Sequence, residues 1–243
     1  MLDGAARIKD VIAAAVADGQ PAVGLTDHGV LYGAVEFYQQ ATSAGITPVI
    51  GMEGYLTPGS RFDRLPRRQD VKYHITMLAT SQVGYQNLIK LSSQAYLEGY
   101  YYKPRMDREL LEAHSEGIVA TTGCLGGHVP QLLAPDASDE EGNTSGERDF
   151  DEAVATAAMY QDIFGKDNFF VEVMDHGFDA QRRVLPDLLA ISEKIGAPLL
   201  ATNDCHYTTE AEAETHDALL CIQTGSEMDD PKRFKFQGSG YFL

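Results

Sequence analysis

The chain has 243 residues, 44% of them apolar, which suits one sizeable α/β domain. No apolar run approaches the roughly 18 residues of a membrane span. No basic stretch leads into an apolar block at the N-terminus, as a secretory signal requires, and Cys124, Cys205 and Cys221 form no disulfide framework; together these features predict a cytoplasmic protein with no membrane partner. With 36 Asp and Glu against 19 Lys and Arg, the net charge is −17. A protein that grips DNA through its phosphates carries a basic footprint instead. The balance excludes a sequence-reading DNA binder and leaves room for a site that meets phosphate through bound cations.

In chain order, Ile8, Val11, Ile12, Ala15 and Val16 form a first helical stripe. Short apolar, β-branched runs at 22–25, 48–52, 75–79, 118–120, 169–173 and 198–201 read as strands buried on both faces. Between them fall helices at 84–96, 107–114, 150–158 and 184–195, with a short one opening at His128; another follows at 210–223. Repeating strand-then-helix units predict a parallel sheet with helices outside, closed as a barrel or doubly wound. Residues 135–149 are polar, acidic and aperiodic, and predict a flexible surface insertion within a single domain spanning 1–243.

The unusual residues cluster by position. Thr26-Asp27-His28-Gly29, Glu53, Thr121-Thr122-Gly123-Cys124 and Asn203-Asp204-Cys205-His206 each follow a predicted strand, whereas His74 sits at the entry to one. In a parallel barrel, strand C-terminal ends converge on the face where catalytic groups collect. His74 breaks the pattern, and a small register error in the predicted strand accounts for it. Imidazole, carboxylate and thiolate are ligands for zinc, manganese or iron. Asp204 and His206, two apart, point to one side of an extended segment, and the same alternation turns Cys205 away. A single histidine at a strand end is more often a hydrogen-bonded structural residue, so the joint placement carries the expectation of a metal site. His176 fits either the same mouth or a turn, His128 either a phosphate contact or a helix start, and His114, His216 and Cys221 read as structural. Tyr100-Tyr101-Tyr102-Lys103-Pro104-Arg105 reads as a loop whose rings and cations either stack on bases and pair with phosphate or pack against the fold.

Leu2-Asp3-Gly4-Ala5, Thr26-Asp27-His28-Gly29, Gly51-Met52-Glu53-Gly54-Tyr55, Tyr73-His74, Thr122-Gly123-Cys124, Asn203-Asp204-Cys205-His206-Tyr207 and Arg233-Phe234-Lys235-Phe236 resemble, in order and spacing, the PHP domain family of bacterial DNA polymerase III alpha subunits. The Tyr-Tyr-Lys-Pro-Arg run is similar too. The resemblance implies a distorted seven-stranded β/α barrel holding up to three divalent ions (zinc, manganese or iron) at its C-terminal mouth. It implies Asp3, His28, Glu53, His74, Cys124, Asp204 and His206 as metal ligands, with Glu53, Asp204 and His206 at the catalytic centre. Lys103 and Arg105 are the expected contacts to the substrate strand. The implied activity is metal-dependent 3′–5′ exonuclease proofreading within a DNA-directed DNA polymerase. The implied partners are primer-template DNA and the other polymerase III holoenzyme subunits.

The family pattern opens with a His-x-His pair on a first strand and runs on into the polymerase palm. Neither is found in this sequence, so the expectation is a fragment of a longer product that lacks the first barrel strand, with weak or absent activity alone. Two alternatives stand beside it. One is a stand-alone phosphoesterase of the histidinol phosphatase type; the other is a non-catalytic scaffold that braces a polymerase.

Overall fold

The computed structural model describes residues 3–66, 69–137, 147–177 and 179–243. The predicted acidic insertion falls largely outside them, at 138–146. Two strands keep their predicted limits, β1 (Ala22–Leu25) and β7 (Phe169–Val173). β2 (Thr47–Leu56) runs on past Met52, β3 (Tyr73–Ala79) starts before His74, and β6 (Ile118–Thr121) and β8 (Leu199–Ala201) shift by one residue. The tyrosine-rich run is not a loop: β4 (Tyr100–Tyr101) and β5 (Lys103–Met106) form a hairpin, with Tyr102 at φ 62° in its turn. The predicted helices appear as α1 (Ile8–Ala17), α3 (Gln82–Leu97), α4 (Arg108–Ala113), α5 (His128–Leu133), α6 (Phe150–Phe164), α7 (Asp179–Ile195) and α8 (Ala213–Thr224). The helix α2 (Ala34–Ala44) was not anticipated. Its start has no side-chain cap, and it buries only Ala34, Phe37 and Ala41, too faint a stripe to stand out.

The strands form a curled, half-barrel sheet in the order β4-β5-β2-β3-β6-β7-β8, with β1 paired to β2. The pairs β1–β2, β2–β5, β6–β7 and β7–β8 are parallel. The expectation of a wholly parallel sheet fails at β3, which runs antiparallel to both β2 and β6. Parallel strands need a crossover, usually a helix. Residues 57–72 contain none among those described, so the chain returns from β2 to β3 in the opposite sense. The beginning of β3 therefore lies at the mouth formed by its neighbours' ends. His74 occupies that mouth because of strand direction, and no register error is involved.

The main core lies under β2, β3, β6 and β7, where Met52, Ile75, Met77, Ile118, Phe169 and Val171 pack against α3, α4, α6 and α7 through Leu88, Leu91, Leu111, Ala153, Leu188 and Ile191. A smaller core of Ile12, Ala15, Val23, Phe37, Ala41 and Ile46 joins α1, β1 and α2. Between β1 and β8 opens a cavity of about 800 Å³, lined without a break by residues 22–28 on one side and 200–207 on the other. Among the described residues, no helix is long and apolar enough to cross a membrane.

A buried ionic network secures the long connection into β3. Arg105 is fully buried, and its guanidinium donates to Asp70 Oδ1 (2.7 Å) and to the carbonyls of Gly99 (3.0 Å), Arg61 (2.9 Å) and Asp63 (2.6 Å). Arg61 in turn donates to Asp107 Oδ1 (2.8 Å), whose carboxylate caps α4, and to Glu98 (2.8 Å). These bonds withdraw Arg105 from any nucleic acid, so the expectation that it contacts a substrate strand is wrong. Removing one member of a buried ion pair leaves the other uncompensated, at a cost of roughly 3–5 kcal/mol. Arg105→Met should therefore lower the unfolding free energy by about that amount in urea melts, with no direct effect on phosphate affinity.

His128 is equally structural. It opens α5 with its ring stacked on Tyr73 at 4.0 Å, and its Nδ1 lies 2.9 Å from the Tyr160 hydroxyl. Burial moves its pKa from the ordinary 6.5 to about 4. Because the folded value is depressed, His128 contributes stability that is complete above pH 6.5 and is lost as pH falls toward 4. Between pH 7 and pH 5 the loss is about 2 kcal/mol. His128→Asn should remove that part of the acid sensitivity, read as a flatter dependence of unfolding free energy on pH than in the unaltered chain.

Candidate metal centre

Each ligating residue predicted from the sequence is fixed by local backbone geometry. The chain leaves β1 still bonded to β2, with Glu53 N–H donating to the Asp27 carbonyl (3.1 Å) and Gly29 N–H to the Glu53 carbonyl (2.8 Å), which sets His28 beside Glu53. Asp27 itself accepts from Gly33 N–H at the start of α2 and serves that loop. Ala5 and Ala6 N–H both donate to the His206 carbonyl (2.7 and 3.0 Å), which ties the segment of Asp3 to the loop of His206. Cys124 rides on a tight loop after β6: Gly123 takes φ 76°, and a Cβ on Gly127 would stand 2.0 Å from the Thr122 carbonyl. Only glycine allows both the positive φ and that approach.

The loop after β8 is the most constrained. Asp204 has φ 43°, a left-handed conformation that costs a non-glycine residue about 1–3 kcal/mol and persists only where its surroundings impose it. Asn203 supplies part of that restraint, its Nδ2 donating to the carbonyls of Gly240 (2.9 Å) and Phe242 (2.5 Å). His206 N–H donates to the Tyr241 carbonyl (2.8 Å). His176 supplies more. Gln181 donates to its Nδ1 (2.9 Å), which leaves Nε2–H to donate to the Asn203 carbonyl (2.8 Å). Of the two readings open for His176, the structure supports the turn residue that braces the loop.

The structure brings all seven expected ligands into one contiguous set. His28 Nε2 lies 3.4 Å from Asp3 Oδ2, and His206 Nε2 lies 3.7 Å from the same oxygen. His28 Nδ1 lies 3.6 Å from Glu53 Oε2, and His74 Nδ1 lies 2.7 Å from Glu53 Oε1. Cys124 Sγ is 3.7 Å from Glu53 Oε1 and 3.5 Å from His74 Nδ1. Asp204 Oδ1 is 3.8 Å from His206 Nδ1. Two triads emerge whose donor atoms lie within 4.8 Å of one another, Asp3/His28/His206 and His28/Glu53/His74, and they share His28.

Burial drives the electrostatics of this mouth. It would raise the Glu53 carboxyl, but the combined positive charge of His28, His74 and His206, with the hydrogen bond from His74, holds it at about 2. Burial also opposes charge on His206, yet Asp3 and Asp204 outweigh it and lift His206 to about 9. Asp204 is raised, first by burial and then by Glu53, against the histidines. Cys124 is pushed well up by burial and by Glu53 and Asp204. His74 Nε2 is buried with no hydrogen-bond partner among the described residues. A compact, buried set of carboxylates, imidazoles and a thiol with an orphaned ring nitrogen fits divalent cations bound through mixed N, O and S donors.

Around this set stand Tyr55 and Glu172, whose roles the sequence did not bring forward, and Lys103, expected from the sequence to contact a strand. Tyr55 stacks on His28 (5.8 Å, 17°), and Lys103 Nζ lies 3.0 Å from the Tyr55 hydroxyl and 4.5 Å from its ring centroid. Lys103 thus sits one aromatic ring behind His28. Glu172, buried within β7, is pushed to about 7 by burial, against the Thr121 and Thr202 hydroxyls that bond it. Its signal was available: a carboxylate inside a strand buried on both faces needs partners.

Comparison with known proteins agrees with this architecture. Residues 1–176 match the family model of the PHP domain. The DNA polymerase III subunit alpha of Saccharopolyspora erythraea is 47% identical over 263 residues, a region covering 100% of this chain and 21% of that relative. The subunit of the same description from Mycobacterium tuberculosis is 47% identical over 257 residues, with the same two coverages. The chain therefore spans about a fifth of the length of the curated relatives it matches. A crystal structure from Bifidobacterium adolescentis, described as a candidate metal-dependent phosphoesterase, shares the fold at 14% identity, with TM-score 0.50 and 84% of each chain covered. The family match takes in Asp3, His28, Glu53, His74 and Cys124 and well over half of the sequence, and the chain belongs to the PHP domain family.

Proposed function

We propose that this chain is the PHP module of a bacterial DNA polymerase III alpha subunit, and that its mouth binds divalent cations and hydrolyses phosphodiesters at a 3′ end. The observation that carries the proposal is the pair of buried triads sharing His28. The polymerase relatives at 47% identity favour a replicative module over a stand-alone phosphatase. On this reading the partners are primer-template DNA, met through the rest of the polymerase, and the other holoenzyme subunits, in the cytoplasm.

Bound divalent cations supply Lewis-acid polarisation of the phosphodiester and activation of an attacking water. Asp3, His28 and His206 would hold one cation, and Glu53 and His74, with Cys124 and Asp204, a second, since a neutral imidazole offers one lone pair and His28 serves one cation at a time. Zinc, manganese and iron all suit such donors. Glu53 is already ionised at neutral pH and needs no deprotonation to ligate. Cys124 keeps its proton until a cation replaces it. Lys103, held against Tyr55, is the remaining side chain proposed to meet a strand phosphate.

The ligands give the test. Metal content after manganese or zinc loading should fall by one cation in His28→Ala and by one in His74→Ala. Slow release of nucleotides from a 3′-labelled oligonucleotide should stop in Asp204→Asn. Metal binding that is indifferent to His28 would overturn the proposal.

A further inference from the structure

The Glu172 carboxylate lies outside the ligand set, yet it touches both strands that lead into it. β6, β7 and β8 are parallel neighbours, and Glu172 sits on the central one. Thr121, the last residue of β6, donates its hydroxyl to Glu172 Oε2. Thr202, just past β8, donates to Glu172 Oε1 at 2.5 Å. The Thr121 oxygen also accepts from Gly123 N–H (3.1 Å). The Glu172 backbone N–H donates to Thr122 Oγ1 (2.9 Å), so one residue binds both threonines of the turn before Cys124. Cys124 follows Thr121 by three positions, and Asp204 follows Thr202 by two.

We propose that Glu172 is a positioning residue: its two carboxylate oxygens clamp the Cys124 loop to the Asp204–His206 loop and set the separation of the ligands the two loops carry. A carboxylate this deeply buried needs its donors, and among the described residues the hydroxyls bonded to it are those at the two loop entrances. The backbone alone leaves that separation loose. β6 and β8 each pair with β7 but not with each other, and the last backbone bonds, Thr122 N–H to the Phe170 carbonyl (3.1 Å) and Thr202 N–H to the Val173 carbonyl (3.2 Å), stop short of Cys124 and Asp204. The Glu172 side chain bonds the entrances of both loops at once. The strained φ of Asp204 makes such a link useful, since an unrestrained loop would relax out of the left-handed region.

The effect on cations rests on the metal-binding function proposed above, whereas the clamp itself does not. Two measurements on the 243-residue chain separate them. In the metal-free chain, hydrogen exchange of Glu172→Ala should rise together at 122–127 and at 202–207, with β2 and β3 unchanged. Thr121→Val and Thr202→Val should each loosen their own loop more than the other. In the presence of cobalt(II), the thiolate-to-metal absorption that reports Cys124 should weaken in Glu172→Ala, and cobalt affinity should fall roughly 10–100-fold, as for other residues that orient ligands. Glu172→Gln, which keeps the shape and one acceptor, should lie between.

Exchange that rises over the whole sheet, or at one loop only, would overturn the clamp and leave Glu172 a general stability residue. Loosened loops with unchanged cobalt affinity and unchanged thiolate absorption would overturn its role in setting the ligands. Failure of the unaltered chain to bind cobalt would count against the metal-binding function, and the exchange result would still decide the clamp.

Discussion

The structure depends on balancing charge in a place that water has mostly left. Asp3, Glu53, Asp204 and Glu172 are carboxylic acids packed at one end of the sheet, with His28, His74 and His206 threaded among them. An ionised carboxylate in such surroundings costs several kcal/mol unless positive charge or hydrogen-bond donors face it. Glu53 has three imidazoles around it and stays ionised; Glu172 has two hydroxyls and hovers near neutrality. The acids at this mouth thus have different tasks, set by what faces them. Glu53 stands at the junction of His28, His74 and Cys124.

That balance demands accurate backbone placement, and the fold supplies it by tying distant segments to the ligand loops rather than by making the loops long or rigid. The segment from Asp3 to Ala6 hangs on the His206 carbonyl, residues 240–242 are bonded to Asn203, Cys205 and His206, and His176 reaches the Asn203 carbonyl from β7's end. Cys205 spends its thiol on the Phe242 carbonyl (3.1 Å); the left-handed Asp204 before it means that strand alternation does not orient this segment. The strain at Asp204 is sustained by this convergence. Strain held by many restraints is characteristic of sites that must present a side chain at a fixed angle.

Much of this was legible in the sequence. Strand ends mark the mouth because short apolar runs are easy to locate, and the polar residues just past them have few other reasons to be there. What the sequence hid was direction. Nothing in Tyr73-His74-Ile75 distinguishes a strand entering the mouth from one leaving it, and only the absence of a helix between β2 and β3 hints at the reversal. Arg105 was misjudged because a cation in an aromatic run looks the same whether it faces solvent or fills a buried network. Its partners Asp70, Gly99, Arg61 and Asp63 are spread along the chain and carry no joint signal. Glu172 was overlooked for the opposite reason: one carboxylate amid Phe169-Phe170-Val171 and Val173 reads as an interruption of a strand, when its burial made it the part of the strand that needed explaining.

The acidic surface fits this arrangement. A protein that holds DNA along its length must neutralise many phosphates with its own side chains. A site that takes one phosphodiester at a strand end needs positive charge at one place, and cations seated among carboxylates supply it locally, where low dielectric makes it strong. Asp3, Glu53 and Asp204, three of the 36 acidic residues, are those that would gather the cations, so an acidic composition is compatible with this chemistry. The polymerase relatives are about five times the length of this chain.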